Sequence, residues 1–149
     1  MPINVRPAAP DDAATIADFN RAMADETEGL SLDPATVLTG VRAGLADPGK
    51  ARYFVAERAG QVVGCCMITR EWSDWRNGDL WWLQSVYVAP CARRQGVFRA
   101  LHAEVVRRAR AAGAVALRLY VERDNTHAKA TYAALGMRAT HYEVMEQPL

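Results

Sequence analysis

Residues 82–101 read WLQSVYVAPCARRQGVFRAL. The first half, through Pro90, reads as a buried strand. In the second half Val97, Phe98 and Leu101 fall at helical spacing, which Val105 and Ala109 continue. Between them stand Arg93, Arg94, Gln95 and Gly96. A helix start leaves several backbone N–H groups unpaired and carries partial positive charge. It is therefore suited to a phosphate. Gly96 would let a phosphate approach without a Cβ in the way, and the arginines add charge-assisted hydrogen bonds. An ordinary strand-to-helix turn with solvated arginines is the other reading of the same residues. The P-loop and GxGxxG nucleotide patterns are both absent.

Working outward, INVRPA near the N-terminus reads as a first strand. Pro10, Asp11 and Asp12 suit a helix start, and Ile16, Phe19 and Met23 continue at helical spacing. ETEGLSL, residues 26–32, breaks that pattern. Asp33 is the expected N-cap of a second helix, with Pro34 at its first position and Val37, Leu38, Val41 and Leu45 on its apolar face. RYFVAERAGQVVGCCMITREW predicts two strands joined by a tight turn at Ala59-Gly60. SDWRNGD then predicts a loop and LWWLQSVYV a strand. After the helix that Gly113 ends come a strand VALRLYV, a short helix NTHAKATYAAL closed by Gly136, and a last strand HYEVME. The order is β-α-α-β-β-β-α-β-α-β. Meandering strands followed by a βαβ unit predict one α/β domain over residues 1–149, a mixed sheet with helices on both faces.

The chain has 149 residues, half of them hydrophobic, enough for one domain with a real core. Eighteen basic and 17 acidic residues nearly cancel, which argues against a non-specific grip on nucleic acid or an anionic membrane. No apolar run approaches the roughly 18 residues of a membrane span. MPINVRPAAPDD lacks the apolar core of a secretory leader. Cys65, Cys66 and Cys91 make a poor disulfide framework, so a reducing cytoplasm is expected. No Cys/His spacing suits a metal.

The stretch around Arg93 resembles the acetyl-CoA signature of the GNAT N-acetyltransferase superfamily: Arg or Gln, two residues, Gly, one residue, then Gly or Ala. Arg93 and Gly96 match it, and Phe98 departs from its last position. A later motif of that superfamily is matched by Asn125, Ala128, Tyr132, Gly136 and Met137. The element order above is also that of the GNAT fold. The resemblance implies an acetyl-CoA-dependent N-acetyltransferase that acetylates a small-molecule or peptide amine. It implies that the strand SVYV splays from the next one, with pantetheine in the gap against the backbone of Val86, Tyr87 and Val88. The pyrophosphate would then rest on residues Arg93, Arg94, Gln95, Gly96, Val97, Phe98 and Arg99. Homodimers are common in the superfamily, so a homodimer is an open expectation.

Acyl transfer to an amine needs a stabilised carbonyl oxygen, a deprotonated amine and a proton for the departing thiolate. The resemblance implies that Tyr132 is the general acid, where spacing alone reads an aromatic on a buried helix face. Asn125 either caps that helix or bonds the pantetheine arm. For the base, Gln84 stands on the strand where many relatives carry an acid, and it cannot take a proton. Glu26 and Glu28, in the break after the first helix, are the best guesses. Glu71, Asp74, Asp79 or a water relay are the alternatives. Trp72, Trp75, Trp81 and Trp82 crowd 11 residues. They read either as an aromatic wall for a cationic acceptor or as core packing. The acceptor is therefore expected between Glu26–Glu28 and the loop 72–79, touching Trp72, Trp75 and Gln84. Two other classes compete: a catalytically silent GNAT-fold module that binds CoA, and a nucleic-acid reader that uses the arginine cluster. Near-zero net charge and the lack of RNA-motif aromatics oppose the second.

Overall fold

The computed structural model describes residues 2–149, which form two compact units that divide after Leu119. The first contains strands β1 (Ile3–Pro7), β2 (Arg52–Arg58), β3 (Gln61–Ser73), β4 (Gly78–Val88) and β5 (Ala116–Leu119). It also contains helices α1 (Ala13–Glu28), α2 (Pro34–Ala46) and α3 (Val97–Ala111). The strands lie side by side in the order β1-β2-β3-β4-β5. The first four are antiparallel, and β5 joins β4 in parallel after the α3 crossover. The expected mixed sheet is thus present.

Period-two alternation sorts the side chains onto two faces. Phe54, Cys66, Ile68, Trp81 and Leu83 meet α3 through Val97, Leu101, Val105 and Ala109. Tyr53, Val55, Cys65 and Tyr87 meet α1 and α2 through Ala13, Ile16, Ala17 and Val41. Helices therefore cover both faces, as expected. α3 lies close to the sheet because β3 carries Gly64. A Cβ there would come within 2.9 Å of Val97 and 3.1 Å of the Tyr87 carbonyl. The Ala59-Gly60 turn has φ of 52° and 76°, the mirror-image turn that matches strand twist. Asp33 caps α2 by accepting from Thr36 N at 2.9 Å.

Two expectations are corrected. The break foreseen at residues 26–32 begins later. α1 runs on through Glu28, because glutamate is a good helix former and Gly29, in left-handed conformation, supplies the stop. Glu26 and Glu28 are thus on the last turn of a helix. The second unit, Tyr120–Leu149, contains one helix, α4 (Thr126–Ala134), and the strand expected at His141–Glu146 does not form. Val144 and Met145 are 70% and 94% exposed. An alternating sequence with no face buried gains nothing from strand geometry.

Candidate functional site

β4 changes character at Ser85. Up to Leu83 it is paired on both sides, with β3 and β5. On the β3 side, Met67 then faces Gln84 while Cys65 faces Tyr87, so Ser85 and Val86 together oppose Cys66. That is a β-bulge, and it puts Ser85 at φ 51°, a left-handed conformation that costs a non-glycine residue roughly 1–2 kcal/mol. Cys65 Sγ donates to Ser85 O at 3.7 Å and helps hold it. On its other side β5 pairs only as far as Leu83. Among the described strand pairings, the stretch from Gln84 to Val88 therefore has a partner on one edge alone. Val86, Tyr87 and Val88 lie on this half-open edge, where the resemblance expected pantetheine.

The chain leaves β4 through a 3-10 turn, Pro90–Ala92, and reaches α3 through Arg93–Gly96. Arg94 and Gly96 have φ of 63° and 85°, so two left-handed residues flank Gln95. Such turns gather backbone N–H groups into an anion-binding concavity. The first bond of α3 runs from Ala100 N to Gly96 O at 3.0 Å, so the helix-start amides lie just beyond Gly96. A Cβ built on Gly96 meets nothing within 4 Å, so the space there is open. Arg94 and Arg99 are exposed, Val97 is buried in the α3 core, and Phe98 packs against that core. Gln95 is tied down, accepting from Arg58 and donating to Cys91 O at 3.2 Å. An open, glycine-capped turn with exposed arginines fits a pyrophosphate.

Arg93 has another task. Its Nε donates to Val88 O at 3.0 Å and its Nη2 pairs with Glu26 Oε2 at 2.8 Å. Its guanidinium lies 5.4 Å from the centre of the Tyr87 ring, and Tyr87 OH donates to Glu26 Oε1 at 3.1 Å. Phe19 also packs against Tyr87, with ring centres 5.2 Å apart. Burial, with Glu26 beside it, pushes the Tyr87 phenol up, so it remains a donor. This cluster joins the end of α1 to the end of β4 and to the turn. Glu26 is a carboxylate with two partners, a poor position from which to take a proton from an amine.

Between α1 and α2, over Tyr53 and Ser85, is a cleft of about 400 Å³ walled by Met23, Val37 and Val41, with Glu28 among its lining residues. Glu28 thus borders a cavity next to the bulge, whereas Trp72 and Trp75 do not. They are 62% and 91% exposed. Trp72 pairs with Asp79, and from residue 79 to Ser85 is about 20 Å at roughly 3.3 Å per residue. The structure therefore parts the tryptophans from Glu26 and Glu28. Trp81 is core, and Trp82 Nε1 donates to Glu71 at 3.0 Å. Gln84 Nε2 donates to Thr69 at 2.6 Å. In the second unit Asn125 caps α4, accepting from Ala128 N at 3.0 Å, and burial pushes the Tyr132 phenol up.

Sequence reasoning missed the bulge, the cleft and the role of Tyr87. Nothing in the residues announces Ser85, because bulges with left-handed residues usually carry glycine. Asn20 was a legible signal: a polar residue four after Ile16 and three before Met23, on the apolar face of α1.

The model of the acetyltransferase (GNAT) family matches residues 16–137. A mycothiol acetyltransferase from Sanguibacter keddieii is 34% identical over 143 residues, 93% of this chain and 44% of that protein. One from Nocardia farcinica is 35% identical over 94 residues, 63% and 28% respectively. The chain thus spans less than half the length of these curated relatives. The solved structure of a possible acetyltransferase from Clostridium difficile 630 superposes with a TM-score of 0.93 at 43% identity, covering 99% of this chain and 97% of that one. A Clostridium acetobutylicum protein solved with acetyl-CoA shares the fold at 16% identity, TM-score 0.81, over 98% of this chain and 96% of its own.

Proposed function

The chain belongs to the acetyltransferase (GNAT) family, and from that premise we propose that it transfers the acetyl group of acetyl-CoA to a primary amine. The observation that carries the reading is the pairing of two features on one continuous segment. β4 bulges at Ser85 on its β3 side and has no β5 pairing beyond Leu83 on its other side, and the chain then continues through Pro90–Ala92 into the glycine-capped turn at the start of α3. Bound acetyl-CoA supplies an acyl group activated as a thioester. Backbone groups of Val86, Tyr87 and Val88 would hold the pantetheine arm, and backbone N–H groups there would stabilise charge on the acyl oxygen. The turn from Arg94 to Arg99 would hold the pyrophosphate.

Among the carboxylates singled out from the sequence, Glu28 is the one we assign to the amine, since it lines the cleft beside the bulge and Glu26 is engaged by Arg93 and Tyr87. Its work is to take a proton from an ammonium of ordinary pKa near 10.4, directly or through water. We assign the proton for the departing thiolate to Tyr132, on its match to the family motif. A phenol raised by burial keeps its proton at neutral pH. Loss of activity by its ionisation should then set in above the ordinary tyrosine range near 10. Tyr132→Phe should lower kcat roughly tenfold to a few hundredfold while acetyl-CoA affinity holds. A Phe variant with full turnover, in a chemistry-limited assay, would leave Tyr132 a packing residue.

The direct test of the reading is release of free thiol from acetyl-CoA in the presence of a panel of amines. Amine-dependent release supports transfer. CoA binding without amine-dependent release would support the silent binding module instead, a reading that the engaged Glu26 and the proton-inert Gln84 favour.

A further inference from the structure

We infer that the cleft between α1 and α2 takes an amine carried on a compact apolar body, an arylalkyl or alkyl monoamine, as the acetyl acceptor. This rests on the reading of the chain as an amine acetyltransferase and names the substrate class. The position comes first. The cleft is bordered by Ser85, the bulged residue of β4, so a group seated in it is adjacent to the half-open edge where acyl transfer is proposed. Its volume of about 400 Å³ lies in the range of small-molecule sites, roughly 300–1,000 Å³.

The lining selects the chemistry. The lining is mainly apolar, with Met23, Leu30, Leu32, Val37 and Val41 among its side chains, so desolvating an apolar body there is favourable. Among the described residues, no lysine, arginine or histidine borders the cleft. An acceptor with its own carboxylate or phosphate would lose its hydration without gaining a cation. Among the described lining residues, Glu28 is the one carboxylate. It can meet one ammonium, whereas a polyamine or an aminoglycoside brings several charges that an apolar wall leaves unpaired. A polyol needs many partners, and the polar groups are few. Thr27 already donates to Met23 O at 2.7 Å and Ser85 O already accepts from Cys65.

Asn20 adds a second, independent mark. Its Oδ1 is buried without a hydrogen-bond partner, and Asn20 lines this cleft. A buried acceptor left unmet is costly, and such groups in folded proteins usually have a partner. With the Asn20 amide turned toward the cleft, one N–H or O–H on an otherwise apolar ligand satisfies it, as the amine itself or a phenol does.

The test uses a position where filling the cleft does not harm the fold. Gly40 lies on α2 and lines the cleft, and a Cβ built there meets nothing within 4 Å. Leucine at this helical position is also a better helix former than glycine. Thiol release would be compared for 2-phenylethylamine, tyramine and n-hexylamine against spermidine, kanamycin and phenylalanine, on the wild type and on Gly40→Leu. We expect kcat/KM for 2-phenylethylamine at least tenfold above that for spermidine and for phenylalanine. Gly40→Leu should raise the 2-phenylethylamine KM at least tenfold, with the acetyl-CoA KM unchanged and the melting temperature no lower. Preference for spermidine or kanamycin, or an unchanged 2-phenylethylamine KM in Gly40→Leu, would overturn the inference and leave the acetyltransferase reading standing. If no amine releases thiol, that reading fails. Titration of 2-phenylethylamine followed by NMR then decides the cleft alone: saturable shifts abolished in Gly40→Leu support the apolar-amine site, and their absence overturns it.

Discussion

The two halves of β4 share a strand and little else. From Leu80 to Leu83 the strand is hydrogen-bonded on both edges, and Trp81 is sealed into the α3 core at 1% exposure. From Gln84 to Val88 one ladder stops, the other slips by a residue, and Ser85 takes a left-handed conformation. The first half satisfies every rule of a stable sheet. The second violates two of them, edge pairing and backbone comfort, within five residues. Local strain of this kind persists only where surrounding packing holds it, and it is concentrated at functional sites. Here the holding is visible: Tyr87 is packed by Phe19 and bonded to Glu26, and Arg93 ties Val88 to the same carboxylate. The regular half is paired on both edges, and the irregular half has a partner on one edge alone among the described strand pairings.

Substitutions at the two ends should therefore separate stability from binding. The largest effect belongs to the regular half. Trp81→Ala removes the largest fully buried side chain, and by analogy with aromatic truncations in other cores it should cost about 3–5 kcal/mol. Equilibrium denaturation would read this as a lower midpoint with an unchanged m-value. A cost below about 1 kcal/mol would mean that the regular half is not the structural one.

Next comes Gly96→Val, in the turn that follows the irregular half. Gly96 has φ of 85°, where a branched residue is strained, and its side chain would enter the open space over the turn. We expect acetyl-CoA affinity to fall about tenfold to a hundredfold, roughly 1.4–2.8 kcal/mol, with the circular dichroism of the fold retained. Unchanged affinity by calorimetry on a folded variant would put the pyrophosphate elsewhere.

Smaller still is Glu26→Gln. The Arg93–Glu26 pair is about half exposed on both sides, and solvent screening limits such a pair to about 1 kcal/mol or less. Glutamine keeps an acceptor for Tyr87 but releases Arg93 from its anion. Acetyl-CoA should bind up to about fivefold more tightly, and the amine KM should hold. A collapse of kcat with intact cofactor binding would instead make Glu26 the base.

Most of the fold was legible because it depends on patterns that sequence expresses directly. Asp33 and Pro34 announce α2, Ala59-Gly60 announces the hairpin, and the α3 face from Val97 to Ala109 meets the sheet as its spacing predicts. The strand expected at His141–Glu146 does not form, because alternation specifies a strand only when one face is buried, and Val144 and Met145 are exposed. The candidate site was legible only in part. The turn residues Arg93–Gly96 were recognised as a group, but the role of Arg93 was not. Its partner Glu26 is 67 residues away, and nothing local links them. The cleft arises from α1 and α2 lying over β2 and the bulge, a tertiary event that no single segment encodes.

The smallest expected effect tests the tryptophans. Their density in the sequence pointed to an acceptor wall, yet Trp72 stands near the end of β3 and Trp75 within the hairpin turn between β3 and β4, at the regular end of β4. Trp75 is 91% exposed, so truncating it removes little buried surface, and Trp72 is more than half exposed as well. From residue 79 to the bulge at Ser85 is about 20 Å of strand, far beyond the reach of an indole. The double variant Trp72→Ala/Trp75→Ala should therefore keep kcat and both KM values within about twofold, and its stability should change by about 0.5 kcal/mol or less. Steady-state thiol release with an accepted amine, run beside thermal unfolding, reads both quantities. A tenfold rise in amine KM would bring the acceptor to the hairpin end and erase the distinction between the two halves of β4. An unchanged KM would leave that distinction intact and make the exposed indoles a feature of the hairpin alone.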